Sequence, residues 1–345
     1  MADRMSVPAF VRRLFSRADA PAGVKRPAAA MSATPAAMSG AMRPHEGPAL
    51  ARALAARMPA LIIAAQRIAQ TVQQGGHARR RAGTGENFWQ YRPAQPGEAA
   101  TRIDWRQSAR SDRPYVRENE AQSSQTIFLW CDNSPSMLWR SSEALPTKAE
   151  RALLLALATA AIVLRQGERV RVLSADGMTA TGISGQGALE RMATILIDAM
   201  RHPSPPSTLP TTAHLVRNAR LVLLGDGLYA PDAFSALLRA ALARQVRTSL
   251  IEVVDPAERD LPYAGRTRFS GLEHEASITL SAGTDLRAAY RAAFARHQQQ
   301  LSDLCRAGGN DMIAHTTDLP PERALLALHD QLAAGMRPAG GGTRP

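Results

Sequence analysis

Two acids and two hydroxyls carry the chemistry that this sequence can do. Asp132, Ser134 and Ser136 alternate within QTIFLWCDNSPSM, residues 125–137, and Asp226 stands between two glycines in LLGDG. All four offer hard oxygen atoms. That donor set suits Mg²⁺ or Mn²⁺, ions that take few protein ligands and keep several waters. The ordinary alternative for the serine loop alone is turn formation and helix capping.

Each acid follows an apolar run. Residues 127–131 precede Asp132, and LVLL precedes Asp226. Unbroken apolar runs bounded by turn residues predict strands of a parallel sheet buried on both faces. Strands are expected over 125–131, 169–174, 178–183, 220–224, 246–254 and 311–315, with a short extra one over 277–280. The third, 178–183, should pair antiparallel after the Asp176-Gly177 turn. Helices are expected over about 147–166 (capped by Thr147), 187–200, 232–243, 285–306 and 321–334, and 255–277 reads as a long loop. Strands alternating with helices imply an α/β fold, an open, mostly parallel six-stranded sheet with helices on both faces. The usual order, 3-2-1-4-5-6, brings the carboxyl ends of strands one and four together where the order reverses. Asp132 and Asp226 tip those two strands.

Upstream, residues 1–48 read as a flexible Ala-, Pro- and Arg-rich tail. A helix follows over about 49–74, its large residues at helical spacing and Gly75-Gly76 as its stop. Arg52, Arg57 and Arg67 interrupt it, so it is expected to dock on the core and no transmembrane segment is expected. Residues 49–120 thus form a helix and an Arg- and aromatic-rich lead-in, 121–335 the α/β domain, and 336–345 a second flexible tail. Residues 1–120 hold 19 Lys and Arg against 9 Asp and Glu, which accounts for nearly all of the chain's net charge of +12. Phe88, Trp89, Tyr91, Trp105 and Tyr115 interleave with those arginines. Binding to nucleic acid or an anionic surface is therefore the alternative function, with anchoring of the lead-in onto the core favoured.

Two cysteines, Cys131 and Cys305, form no CxxC, which excludes a disulfide framework and a structural zinc site. A reducing, cytoplasmic location is expected. The chain is not expected to be an enzyme. Neither lysine lies in a P-loop, no G-x-S-x-G elbow occurs, and His274-Glu275 lacks the second His of a zinc protease helix. A metal-dependent phosphatase with Asp132 as nucleophile would want a second Asp where Ser134 stands and a lysine with no evident candidate. His77, His202 and His214 show no ligand spacing.

Asp132-x-Ser134-x-Ser136 with Gly225-Asp226-Gly227 resembles the metal-ion-dependent adhesion site of von Willebrand factor A domains. The resemblance implies Ser134 and Ser136 as direct ligands of Mg²⁺, Asp132 acting through water and Asp226 as the last acid. A threonine from a second loop completes that family's site. The family's Gly-Gly-Thr is missing here, and the Pro-rich loop offers Ser207-Thr208 or Thr211-Thr212, of which Thr208 is taken. HARRRAGTGENFWQYRPAQPGEAATRIDWRQSAR, VRENE and DPAERDLPYAGRTRFSGL resemble the bacterial family called domain of unknown function 58. Its members commonly accompany MoxR-type AAA+ ATPases, so the resemblance implies a protein-binding module. Its expected partners are such an ATPase and an unknown client, in protein remodelling or the maturation of a cofactor or complex.

Overall fold

The structure, a computed structural model, describes residues 4–6, 47–75, 88–94, 103–109, 113–119, 125–173, 183–205, 208–263, 265–270, 278–282 and 284–334. In chain order the elements are β1 (Arg4–Ser6), α1 (Gly47–Gly75), β2 (Phe88–Pro93), α2 (Trp105–Ser108), β3 (Tyr115–Asn119) and β4 (Thr126–Cys131). They continue with a 3₁₀ turn (Pro135–Leu138), α3 (Lys148–Arg165), β5 (Arg169–Val172), α4 (Ala188–Ala199), β6 (Arg220–Gly225) and α5 (Pro231–Ala243). The last are β7 (Arg247–Val254), α6 (Pro256–Asp260), β8 (Gly265–Ser270), β9 (Ile278–Ala282), α7 (Thr284–Ala307), β10 (Asp311–Thr316) and α8 (Pro321–Ala334). The chain divides into two compact units, Gly75–Ser124 and the remainder.

The larger unit is built on a parallel sheet of order β10-β7-β6-β4-β5. The chain leaves β4 for β5 on one side, then returns past β4 to β6 and moves outward to β7 and β10. The order therefore reverses between β4 and β6, whose residues pair from Ile127 with Arg220 to Cys131 with Leu224. Alternation along β4 explains the helices on both faces. Ile127 and Leu129 join one core with α1, α3, α4 and α8, while Phe128 and Trp130 join the other with α5 and α7.

Five strands, not six, form this sheet among the described residues. Of the expected strand over 178–183, residues 178–182 lie outside the described residues, and Ile183 makes an isolated antiparallel bridge to Val170. The stretch expected as a loop over 255–277 holds α6 and β8, and β8 pairs antiparallel with β9. The reason is local: Asp255 and Glu258 form a capping box around Pro256, an N-terminal helix signal that a loop reading passes over. Within the stretch expected as a flexible tail, β1 pairs parallel with β8. The rest of 1–46 and all of 335–345 lie outside the described residues.

α1 lays Leu50, Leu54, Ile62, Ile68 and Val72 into the core. By length and composition alone it is also long and apolar enough to cross a membrane. In the smaller unit β2 and β3 pair antiparallel, and Asp104 accepts from the Arg106 backbone N–H to start α2.

Candidate metal centre

The carboxyl ends of β4 and β6 meet through side chains as well as backbone. The Asp132 N–H donates to Leu224 O at 2.8 Å, so the ladder continues one residue past β4. Asp132 Oδ1 then accepts the Ser134 N–H at 2.8 Å, folding the chain back in an Asx turn. Pro135 opens the 3₁₀ turn, and Ser134, although it is the N-cap, makes no side-chain cap. Its hydroxyl instead lies 3.0 Å from Ser136 Oγ, and Ser136 Oγ donates to Asp226 Oδ2 at 2.6 Å. Asp226 Oδ1 accepts the Leu228 N–H at 3.1 Å in a second Asx turn. The expected site residues Asp132, Ser134, Ser136 and Asp226 are all buried and are joined in one hydrogen-bonded chain.

Gly225 makes this approach possible. A Cβ there would overlap the Tyr229 hydroxyl and lie 3.0 Å from Asp132 Cβ. Gly227 adopts φ 73°, the left-handed region that turns the chain out of the strand.

Thr208 stands differently. Its Oγ1 donates to Pro205 O at 2.6 Å, and Ser207 lies outside the described residues. The Pro-rich loop reaches the serine turn through another hydroxyl: Ser204 Oγ donates to Asn133 Oδ1 at 2.6 Å. Asn133 Nδ2 in turn donates to Ala199 O and His202 O, tying the end of α4 to the turn.

Residues 90–300 match the family model described as "Protein of unknown function DUF58". The chain belongs to that family. Similar curated proteins of Mycobacterium bovis and Mycobacterium tuberculosis, described as uncharacterized, are 26% identical over 274 residues, covering 77% of this chain and 85% of theirs. Among solved structures, an aerotolerance-related membrane protein from Bacteroides fragilis is 14% identical over 61% of this chain and all of its own, with TM-score 0.39. The conserved hypothetical protein BatB of Bacteroides thetaiotaomicron gives 12%, 61%, all of its own chain, and 0.35. The SpRpn10 VWA domain gives 11%, 64%, all of its own chain, and 0.26.

In this DUF58 chain the cluster holds residues that the sequence did not single out. Lys148, the first residue of α3, is fully buried, with Nζ 3.1 Å from Asp226 Oδ2 and 2.6 Å from Glu258 Oε1. Glu258 Oε2 accepts the Asp255 N–H, and Asp255 Oδ2 accepts the Ser141 N–H. Glu252 on β7 is buried and takes the Gln298 amide at 2.6 Å. Lys148 also alters the phosphatase reading. The lysine with no evident candidate exists, but it engages Asp226 and Glu258, and Ser134 still stands where a second acid is needed.

Burial sets the electrostatics. It pushes Asp132 up, with the Asp226 charge adding to it, while the Ser134 N–H opposes. Burial pushes Asp226 the same way, but Lys148 and the Ser136 hydroxyl outweigh it, and the net direction is down. Glu258 rises to about 7 because burial outweighs Lys148. Glu252 rises to about 8, burial again exceeding the help of Gln298. The Tyr229 hydroxyl is pushed well up, first by burial and then by the neighbouring charges of Asp132 and Asp226.

Among the described residues no three His, Cys, Asp or Glu side chains converge as a metal would require, so a donor set exists only if the hydroxyls join. With them, Asp132, Ser134, Ser136 and Asp226 fit a hard cation. The charge fits too. Four buried carboxylates, Asp132, Asp226, Glu252 and Glu258, feel the ammonium of Lys148, and burial pushes Asp132, Glu252 and Glu258 toward their neutral forms, so a bound divalent cation would favour the ionised acids.

Proposed function

We propose that this DUF58 domain is a non-enzymatic protein-interaction module whose docking crevice is the metal-binding cluster beyond β4 and β6. The observation that carries this reading is the 2.6 Å bond from Ser136 Oγ to Asp226 Oδ2, which joins residues 90 positions apart on the loops after two acid-tipped strands. Ser134, Ser136 and Asp226 would hold Mg²⁺ or Mn²⁺ directly and Asp132 through water. Bound there, the ion would supply an open position for a carboxylate from a partner. The Asx turns at Asp132 and Asp226 hold the oxygens in place before any partner arrives, and Gly225 keeps the two loops close enough to share them. For the partner, the family resemblance supports a MoxR-type AAA+ ATPase acting on a client protein.

The experiment is retention of a MoxR-type AAA+ ATPase on immobilised full-length chain. Binding should persist in Mg²⁺, fall on adding EDTA, and be lost with Asp132→Ala. Equal retention in Mg²⁺ and EDTA would remove the metal from the reading.

A further inference from the structure

Lys148 sits where a lysine is unexpected. It is the N1 residue of α3, inside the Thr147–Glu150 capping box. A positive charge in the first turn opposes the helix macrodipole, and burial removes the water that would offset it. Its side chain is nonetheless 0% exposed, whereas Lys25, the chain's other lysine, lies outside the described residues. The two carboxylates it touches come from different elements, Asp226 after β6 and Glu258 in α6.

The contact with Asp226 falls on one particular oxygen. Oδ2 accepts both the Ser136 hydroxyl at 2.6 Å and the Lys148 ammonium at 3.1 Å, while Oδ1 is engaged by the Leu228 N–H. A divalent ion held by Ser136 and Asp226 would therefore meet a fixed positive charge on the same carboxylate. Like charges that close, away from water, repel strongly. Lys148 also has a second anchor. Glu258 lies nearer to it, at 2.6 Å, and is itself fixed by the Asp255 N–H and by the Tyr290 hydroxyl donating to its carbonyl.

We propose that Lys148 is a tethered cation that competes with a divalent ion for Asp226, occupying the acid in the metal-free state and yielding it while still held by Glu258. The chain would then compensate its own crevice, and Lys148 would set the divalent concentration at which the site fills. It is a positioning residue and touches no partner. This inference rests on the metal reading above.

The test measures Mg²⁺ binding by titration calorimetry on the full chain, comparing wild type with Lys148→Met/Glu258→Gln. The double change removes the ammonium together with one acid, because deleting only one member of a buried ion pair is strongly destabilising. Mg²⁺ should bind the double variant at least about tenfold more tightly than wild type. Binding by the variant alone would also support the tethered cation, while removing metal from the resting natural chain. Equal affinities would keep the metal reading and overturn the competition. Binding by neither protein would overturn both. A second measurement leaves the site intact: with two lysines in the chain, comparison with Lys25→Arg assigns the two ¹⁵Nζ signals. Saturating Mg²⁺ should shift the Lys148 signal and leave Lys25 in place, and an unmoved Lys148 signal would overturn the proposal.

Discussion

Ser136→Ala removes the hydroxyl that bridges the two strand ends, and its cost follows from the geometry. Ser136 Oγ donates to an ionised, buried carboxylate at 2.6 Å, and hydrogen bonds to charged groups contribute about 1.5–3 kcal/mol. Lys148 still holds the same Asp226 oxygen after the change, so the acid is not left bare and the lower end, about 1.5 kcal/mol, applies. A double-mutant cycle with Asp226→Asn isolates that bond from everything else either change does. Urea denaturation in EDTA would give the four stabilities, with a coupling energy of about 1.5 kcal/mol expected between the two sites. Ser136→Ala with Thr194→Ala, an exposed site on α4, should be additive within about 0.5 kcal/mol. A Ser136–Asp226 coupling no larger than this control would refute the claim that the strand ends share a hydrogen bond.

Two further outcomes follow from the same crevice. Gly225→Ala drives a methyl group against the Tyr229 hydroxyl and to 3.0 Å from Asp132 Cβ; overpacking of this kind costs about 1–3 kcal/mol, to be read by urea denaturation. A loss below a few tenths would mean the two loops are not in contact there. Glu252 carries a raised folded-state pKa of about 8, against an ordinary 4.5, so its favourable contribution is complete at low pH and disappears as pH rises through about 8. In EDTA, Glu252→Gln should therefore lose less stability than wild type between pH 5 and pH 8.5, and parallel curves would contradict the assigned burial.

The part of the fold that is periodic was legible in the sequence. The apolar run from Ile127 to Cys131, stopped by turn residues, suited a strand covered on both faces, and the structure sends alternate residues of β4 into separate cores. The Thr147 cap was legible as a hydroxyl at the start of a long apolar helix, and the structure adds Glu150, three residues on, as its capping-box partner. Asp132 and Asp226 could be brought together because strand order is constrained by topology rather than by side-chain detail. Lys148 could not, since its two carboxylates lie 78 and 110 residues further on. The one local sign was its charge at a helix start. Glu252 was hidden inside an apolar strand, and Glu258 inside a stretch whose Asp-Pro opening reads equally as a turn and as a helix cap. Asn133 read only as a turn residue, because its partners, the backbone at the end of α4 and the Ser204 hydroxyl, lie about 70 residues on.

The most direct test is a crystal grown with Mn²⁺ and measured for anomalous scattering. The account predicts a peak at about 2.0–2.3 Å from the hydroxyl oxygens of Ser134 and Ser136 and facing Asp226, absent from Asp132→Ala crystals. An ordered crevice with no peak, or a peak only elsewhere on the molecule, would contradict it.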